Sequence, residues 1–397
     1  MATAFPNRTN TQTGSISLDY TDPAKDDEYF KWGLDLKRVL ENEFRRGGFE
    51  PNMLVSNFTY YTDVFSPTAG VKVSPLCLGT MNFGTAWEDV MGKCEKADAF
   101  AIMDTFYDNG GNFIDTANCY QDKQSEEWIC EWMQSRGNRD QMVIATKYTN
   151  GYRAAHFDVK PIQSNYVGNS MKSMHLSVEA SLKKLQTEYI DVLYLHWWDL
   201  TTGVEEVMHG LNVLINAGKV LYLGVSDTPA WVVVKANDYA RVNGLRLFSV
   251  YQGQWSASLR DMEREVIPMR RDQGKGIAPF GALGQGKFRS AEARDAVYNG
   301  SRRATELSEW DAKISEVLES IAVHKNTTLH AVALAYVFHK TPYVYPIVGQ
   351  RKMERLMANI ESLTVELSKE DMEIDTAVSF DAGYPHTFLF FEKYDLD

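Results

Sequence analysis

The sequence predicts an α/β protein: a closed barrel of eight βα units with an extra N-terminal helical extension. Three observations predict it. From about Val71, short apolar β-branched runs alternate with longer amphipathic stretches, the pattern of repeated strand and helix units. Eight such runs can be marked, the number that closes a (β/α)8 TIM barrel. The first run continues as LGTMNFG (78–84), with no GxGxxG leading into a helix, which argues against a doubly wound dinucleotide-binding sheet.

Residues 1–68 form the extension. After a polar start comes DDEYFKWGLDLKRVLENEFRRGG, where Leu36, Leu40 and Phe44 recur at four-residue spacing ahead of Gly47 and Gly48, so one amphipathic helix with a glycine stop is expected. Its apolar face packs either on the main domain or on a second copy, which makes it the candidate contact for a homo-oligomer. The barrel, including a C-terminal substrate loop, takes residues 69–397. Strands are expected at Cys77 to Thr80, Asn112 to Asp115, Met142 to Lys147, Val192 to His196, Val220 to Ser226, Phe248 to Gln252, Ile277 to Phe280 and Tyr345 to Val348. Helices are expected at Lys96 to Asn109 ahead of Gly110 and Gly111, and at Ser170 to Leu185 behind a capping serine. Three more follow at Glu309 to Lys325, Leu329 to Lys340 and Met353 to Leu363.

Bulk properties narrow the function. With 397 residues, 44% of them hydrophobic, the chain can bury a full core, and its net charge of −12 argues against a nucleic-acid partner, which needs a basic surface. No apolar stretch approaches the roughly 18 residues of a membrane span, and residues 1–14 lack the apolar run of a signal peptide, so a cytoplasmic protein away from membranes is expected. Cys77, Cys94, Cys119 and Cys130 form no CxxC pair and have no histidine at metal spacing, so reduced thiols and no metal site are expected. Sequons at Asn7, Asn57, Asn299 and Asn326 carry little weight without a secretory signal.

Chemistry is expected at the C-terminal ends of the strands, where barrel enzymes build their sites. NFIDTANCY delivers Asp115 at a strand end and Tyr120 in the loop beyond it; VIATK ends in Lys147, and DVLYLHWWD carries His196. Singly, such residues are ordinary capping or packing groups. Together they make a mechanism. A lysine closing one apolar run and an aspartate closing another form a sensible buried ion pair. A tyrosine, with a reference pKa of about 10, needs neighbours to exchange a proton near neutral pH, and an ammonium beside it supplies that tuning. Asp115 then holds and compensates Lys147, and His196 either orients a carbonyl by hydrogen bonding or completes a proton relay.

These blocks, DTANCY, ATK and YLHWWD in this order, resemble the catalytic segments of the aldo-keto reductases. The similarity extends through SLKKLQTEYIDVLYLHWWD, GVSD, IAPFGALGQGKF, PIVGQRKMERLMANI and FDAGYPHTF, about residues 69 to 387, and points to the fungal aryl-alcohol dehydrogenase and norsolorinic acid reductase-like branch. The resemblance implies an NADP(H)-dependent oxidoreductase acting on CH–OH groups, with Asp115, Tyr120, Lys147 and His196 in the four catalytic roles. It implies that Ser226, Asp227 and Gln252 hold the nicotinamide carboxamide, although Asp227 stands where the family commonly has asparagine. In Ile277 to Gly286, where relatives often carry a tyrosine that stacks on the nicotinamide, this chain offers Ala278, Pro279 and Phe280 instead. Beyond it the loop with Gly281, Leu283, Gly284 and Gly286 permits close approach to a pyrophosphate, and Lys287 adds a charge.

Arg351, Lys352 and Arg355 cluster at a helix N-terminus, where the helix dipole disfavours cations unless an anion joins them. That suggests phosphate binding and matches the family's site for the 2′-phosphate of NADP, with Asn359 near the adenine. Trp87 and Trp197, with Trp198 and FDAGYPHTFLFF, are candidates for the walls of a pocket for a flat carbonyl compound. The charged insertion Phe288 to Arg303 is placed to fold over a dinucleotide.

The expected activity is reversible NADPH-dependent reduction of an aldehyde or ketone, aromatic or polyketide-like, with Tyr120 as general acid and base; the resemblance to this branch implies a setting in fungal secondary metabolism. Two other functions use the same scaffold. One is a cofactor-binding interaction protein like the potassium-channel β subunits, favoured by the extra helix; the other is a redox-neutral dehydration or isomerisation.

Overall fold

A computed structural model describes residues 63–156, 158–159, 161–295 and 307–389. The helix expected around Leu36 to Phe44, with the oligomer contact attached to it, lies outside the described residues, as does 296–303 of the charged insertion.

A short antiparallel hairpin, β1 (Asp63–Ser66) and β2 (Ala69–Val73), comes first. Eight parallel strands follow: β3 (Cys77–Gly79), β4 (Phe113–Asp115), β5 (Val143–Tyr148), β6 (Ile190–Leu195), β7 (Val220–Ser226), β8 (Phe248–Gln254), β9 (Gly276–Phe280) and β10 (Ile347–Val348). They pair in sequence order, and β10 closes the barrel onto β3 through Ile347 with Cys77 and Val348 with Leu78. Each strand falls on an apolar run marked in the sequence. The ends differ slightly: Thr80, Asn112, Met142, His196, Tyr345 and Pro346 lie just outside the strands, β5 and β8 run on to Tyr148 and Gln254, and β6 and β9 begin earlier, at Ile190 and Gly276. Parallel strands covered on both faces read as continuous apolar runs, and every residue of β5 and β6 is buried.

Among the described residues nine longer helices surround the barrel: α1 (Lys96–Asp108), α2 (Gln124–Arg136), α3 (Met171–Leu185), α4 (Val204–Asn216), α5 (Ala230–Val242), α6 (Met262–Asp272), α7 (Glu309–His324), α8 (Leu329–Lys340) and α9 (Met353–Glu361). Side-chain caps start three of them: Ser170 accepts from the Ser173 amide, Ser308 from Asp311 and Thr328 from Ala331, each worth about 1 kcal/mol. Between helices and strands lies the main apolar core, in which Trp132, Trp255 and Phe106 are fully buried.

No strand is expected from the sequence ahead of Cys77, yet the hairpin plugs the N-terminal end of the barrel. Phe65 is fully buried, its ring 5.3 Å edge-on from Phe113 and 5.5 Å from Tyr345, and the Tyr345 hydroxyl donates to the Val64 carbonyl at 2.7 Å. A Cβ at Gly276 would fall 2.3 Å from the Phe65 carbonyl oxygen, so only glycine admits the hairpin backbone this close to β9. Burying Phe65 alone contributes about 2–3 kcal/mol. With this end closed, the mouth is at the opposite end, where Asp115 and Lys147 sit.

Candidate active site

Asp115 is the last residue of β4 and Lys147 the penultimate residue of β5. Both are buried, and the Lys147 ammonium donates to Asp115 Oδ1 at 2.5 Å, to the Thr116 carbonyl at 2.8 Å and to Tyr120 Oη at 3.4 Å. Gln252 near the end of β8 donates to the other Asp115 oxygen at 2.9 Å, so both carboxylate oxygens have a partner. The ammonium lies 5.0 Å from the Tyr120 ring centroid and 5.8 Å from that of Tyr194, whose ring packs against the bare Cα of Gly224 on β7. His196, directly after β6, stands edge-on to Tyr120 with ring centroids 6.0 Å apart. The four residues expected from three strand ends and the loop beyond one of them thus come together at the mouth.

Burial and charge set their protonation. Burial works to strip the proton from Lys147, but Asp115 and Tyr120 together outweigh it and hold its pKa above the usual lysine value, so the ammonium persists. Tyr120 is lifted to about 12 by burial, with Lys147 pulling the other way, so its phenol is protonated at neutral pH. His196 falls to about 3 through burial and then the Lys147 charge, so the imidazole is neutral. Burial also raises the neighbouring Cys119, which makes it a protonated thiol rather than an activated nucleophile.

The segment that aims Tyr120 is strained. Gln121, Asp122 and Lys123 all adopt positive φ, at 51°, 47° and 87°, a conformation that costs a residue with a side chain about 1–2 kcal/mol each. Neighbouring contacts hold it. The buried Gln121 amide donates to the Met81 carbonyl at 3.0 Å and accepts from the Trp87 amide at 2.9 Å, while Gln124 Oε1 accepts from the Thr85 and Ala86 amides. A Cβ at Gly84 would sit 2.4 Å from Gln121 Cβ, so the 81–87 loop lies directly on this side chain. Trp87 is thereby held edge-on to Tyr120, ring centroids 6.2 Å apart, and Trp197 stands beside His196 with its indole donating to Asn150 Oδ1 at 2.7 Å.

The cofactor candidates occupy the rest of the mouth. Ser226 ends β7 with its hydroxyl buried and without a hydrogen-bond partner, and the Asp227 amide donates to the Gln252 carbonyl. Phe280 ends β9, and Gly281 and Gly286 follow in left-handed conformations with Leu283 between them. Lys287 faces Asp311 at 3.4 Å. Past β10, Arg351, Lys352 and Arg355 flank the start of α9, whose N-terminus has no side-chain cap; Arg351 lies against Gly92, and Arg351 and Lys352 edge a cleft of about 430 Å³ beside α1. Asn359 is buried and donates to Gln350 Oε1 at 3.3 Å, and the buried Gln350 amide nitrogen is unpartnered. Two orphaned polar groups, a glycine loop and an uncapped helix end among cations suit the separate parts of a dinucleotide.

A family model described as the Aldo/keto reductase family matches residues 75–379. The chain belongs to the aldo/keto reductase family. Among known relatives it is 55% identical over 348 residues to norsolorinic acid reductase B of Dothistroma septosporum, covering 87% of this chain and 88% of that protein. It is 55% identical over 334 residues to norsolorinic acid reductase A of Aspergillus parasiticus (83% and 84%), and 50% identical over 333 residues to aryl-alcohol dehydrogenase [NADP(+)] of Phanerodontia chrysosporium (81% and 86%). This aldo/keto reductase is therefore an oxidoreductase built on a closed eight-stranded barrel. Among the described residues no helix is long and apolar enough to cross a membrane.

Three residues of this aldo/keto reductase site were not singled out from the sequence. Gln121 and Gln350 sit next to residues that were, and their amides reveal nothing until the loops they brace are seen. Asn150 lies three residues past Lys147 and meets His196, a contact that crosses from one strand end to the next.

Proposed function

We propose that this protein reduces an aromatic or polyketide-like aldehyde or ketone to the alcohol with NADPH, and oxidises the alcohol in reverse. The observation that carries this is the Lys147 ammonium seated between Asp115 and the Tyr120 hydroxyl in a mouth walled by Trp87 and Trp197. Ser226, Asp227 and Gln252 would hold the carboxamide, the 281–287 loop the pyrophosphate, and Arg351, Lys352 and Arg355 the 2′-phosphate, with Gln350 and Asn359 toward the adenine. Bound NADPH supplies the hydride.

The chain's own residues handle the proton. At neutral pH Tyr120 is a neutral phenol, ready to hydrogen-bond a carbonyl oxygen and to give its proton as negative charge builds there. Loss of that proton leaves a phenolate beside Lys147, whose charge is already balanced in the resting state by Asp115. The neutral His196 supports the same oxygen, and the two indoles suit a flat, apolar carbonyl compound. The names of the relatives agree with this substrate class.

NADPH oxidation against aromatic aldehydes, quinones and polyketide ketones tests the proposal. Tyr120→Phe is expected to lower turnover by about 10²- to 10⁴-fold while nucleotide binding, followed by fluorescence titration, stays intact. Full turnover in that variant, or product formed without NADPH consumption, overturns it.

A further inference from the structure

Three contacts in a row settle which imidazole nitrogen of His196 carries hydrogen. The indole nitrogen of Trp197 is a donor only, and it lies 2.7 Å from Asn150 Oδ1, so the amide oxygen of Asn150 must face Trp197. The amide nitrogen therefore faces the other way, 3.2 Å from His196 Nδ1. An NH2 group can only donate, so Nδ1 accepts. With the imidazole neutral, its single hydrogen is on Nε2. The second Asn150 N–H points to Cys119 Sγ at 3.6 Å, which keeps both amide hydrogens engaged.

We infer that Asn150 is a positioning residue that fixes His196 as the Nε2–H tautomer, so that the mouth offers one carbonyl oxygen two donors, the Tyr120 hydroxyl and the His196 Nε2–H. The inference rests on the proposed carbonyl reduction for its purpose, but not for its geometry. Without Asn150 the two neutral tautomers of an imidazole lie close in energy, and in one of them an acceptor lone pair would face the oxygen and repel it. Trp197 orients the amide, the amide selects the tautomer, and the tautomer turns His196 from a general polar group into a dedicated donor. The groups facing His196 reinforce the neutral form: Lys147 from β5 carries a positive charge, and Tyr120 and Cys119 from the loop after β4 are both protonated.

The state of the ring can be read in the resting protein. Long-range 1H–15N correlation NMR of the full chain labelled at histidine, with His196→Gln identifying the signals that vanish, reports each nitrogen as bearing hydrogen or not. The expected result is a protonated Nε2 and an acceptor Nδ1; an Nδ1–H form or an even mixture overturns the inference. Asn150→Asp provides the second arm. A carboxylate can only accept, so it draws hydrogen onto Nδ1, and the expected outcome is an inverted tautomer, a raised His196 pKa and about 100-fold lower kcat/KM. An unchanged tautomer in that variant, with the other histidine signals still in place, also overturns the inference. Because the resting-state spectrum needs neither NADPH nor substrate, it stands apart from a failure of the proposed reduction, which would appear as missing turnover with the tautomer as described.

Discussion

Lys275 precedes β9 at the closed end of the barrel, fully buried, with its amine lacking any hydrogen-bond partner. Burial, and then the charge of Arg241, lowers its pKa from 10.5 to about 7. The consequence can be worked through. In the unfolded chain the amine is protonated throughout this range, so a gap of roughly 3.5 pH units, with about half the amine neutral at pH 7, makes the folded state less stable by about 4 kcal/mol. Water entry and local relaxation reduce that to about 2–4 kcal/mol. Lys275→Met keeps the apolar stem and removes the amine, so the thermal midpoint is expected to rise by roughly 4–8 °C near pH 6.5, at about 2 °C per kcal/mol for a chain of this size. The sign with pH follows from the depressed folded value. Between about pH 7 and 10 the unfolded chain binds the extra proton, so the wild type gains stability as pH rises through that window, and below it the cost is constant. Thermal unfolding followed by intrinsic fluorescence at about pH 6.5, 8 and 9.5 should therefore show the advantage of the variant shrinking as pH rises. A variant no more stable at pH 6.5, or a gap that stays constant to pH 9.5, refutes the reasoning.

Two further outcomes bear on the mouth. Arg351→Ala is expected to weaken NADPH by about 10- to 100-fold and NADH by less than about 2-fold, since only the former carries the 2′-phosphate; equal weakening in fluorescence titrations would remove Arg351 from the phosphate site. Gln121→Ala leaves the Met81 carbonyl and Trp87 amide without their partner, so a loss of about 2–4 kcal/mol in denaturant unfolding is expected, together with a fall in kcat. Normal kcat in the destabilised variant would show that Tyr120 is aimed by other contacts.

How much of this was legible in the sequence depended on range. A strand buried on both faces writes itself as an apolar run, so a polar residue at its end stands out, and Asp115 and Lys147 could be paired before their 2.5 Å contact was seen. Helix starts were equally local, as at Ser170. The hairpin was hidden because its stability comes from elsewhere: DVFS and AGVKV are short and unremarkable, and only Phe113, Tyr345 and Gly276, tens to hundreds of residues away, make Phe65 a plug. The left-handed run at Gln121 to Lys123 was hidden for a similar reason. Only Asp122 is of a type that visits positive φ readily, Gln121 and Lys123 are not, and the hydrogen bonds that hold Gln121 come from Met81 and Trp87. Asn150 belongs to the same class, for its meaning lies in the ring it faces across the strand boundary.

The packing of Tyr194 on Gly224 has a consequence for how this centre responds to change. Tyr194 packs near Lys147 as Tyr120 does, so the Lys147 ammonium rests on a carbon floor whose height is set by the missing side chain of a glycine one strand away. A methyl group there would come within 2.4 Å of the ring, which is fully buried, so ring and surroundings must shift to admit it. Position 224 touches neither reactant nor proton, yet it fixes how deep the charge sits below the mouth. Graded enlargement there offers a mechanical adjustment of proton transfer that leaves all four chemical groups unaltered.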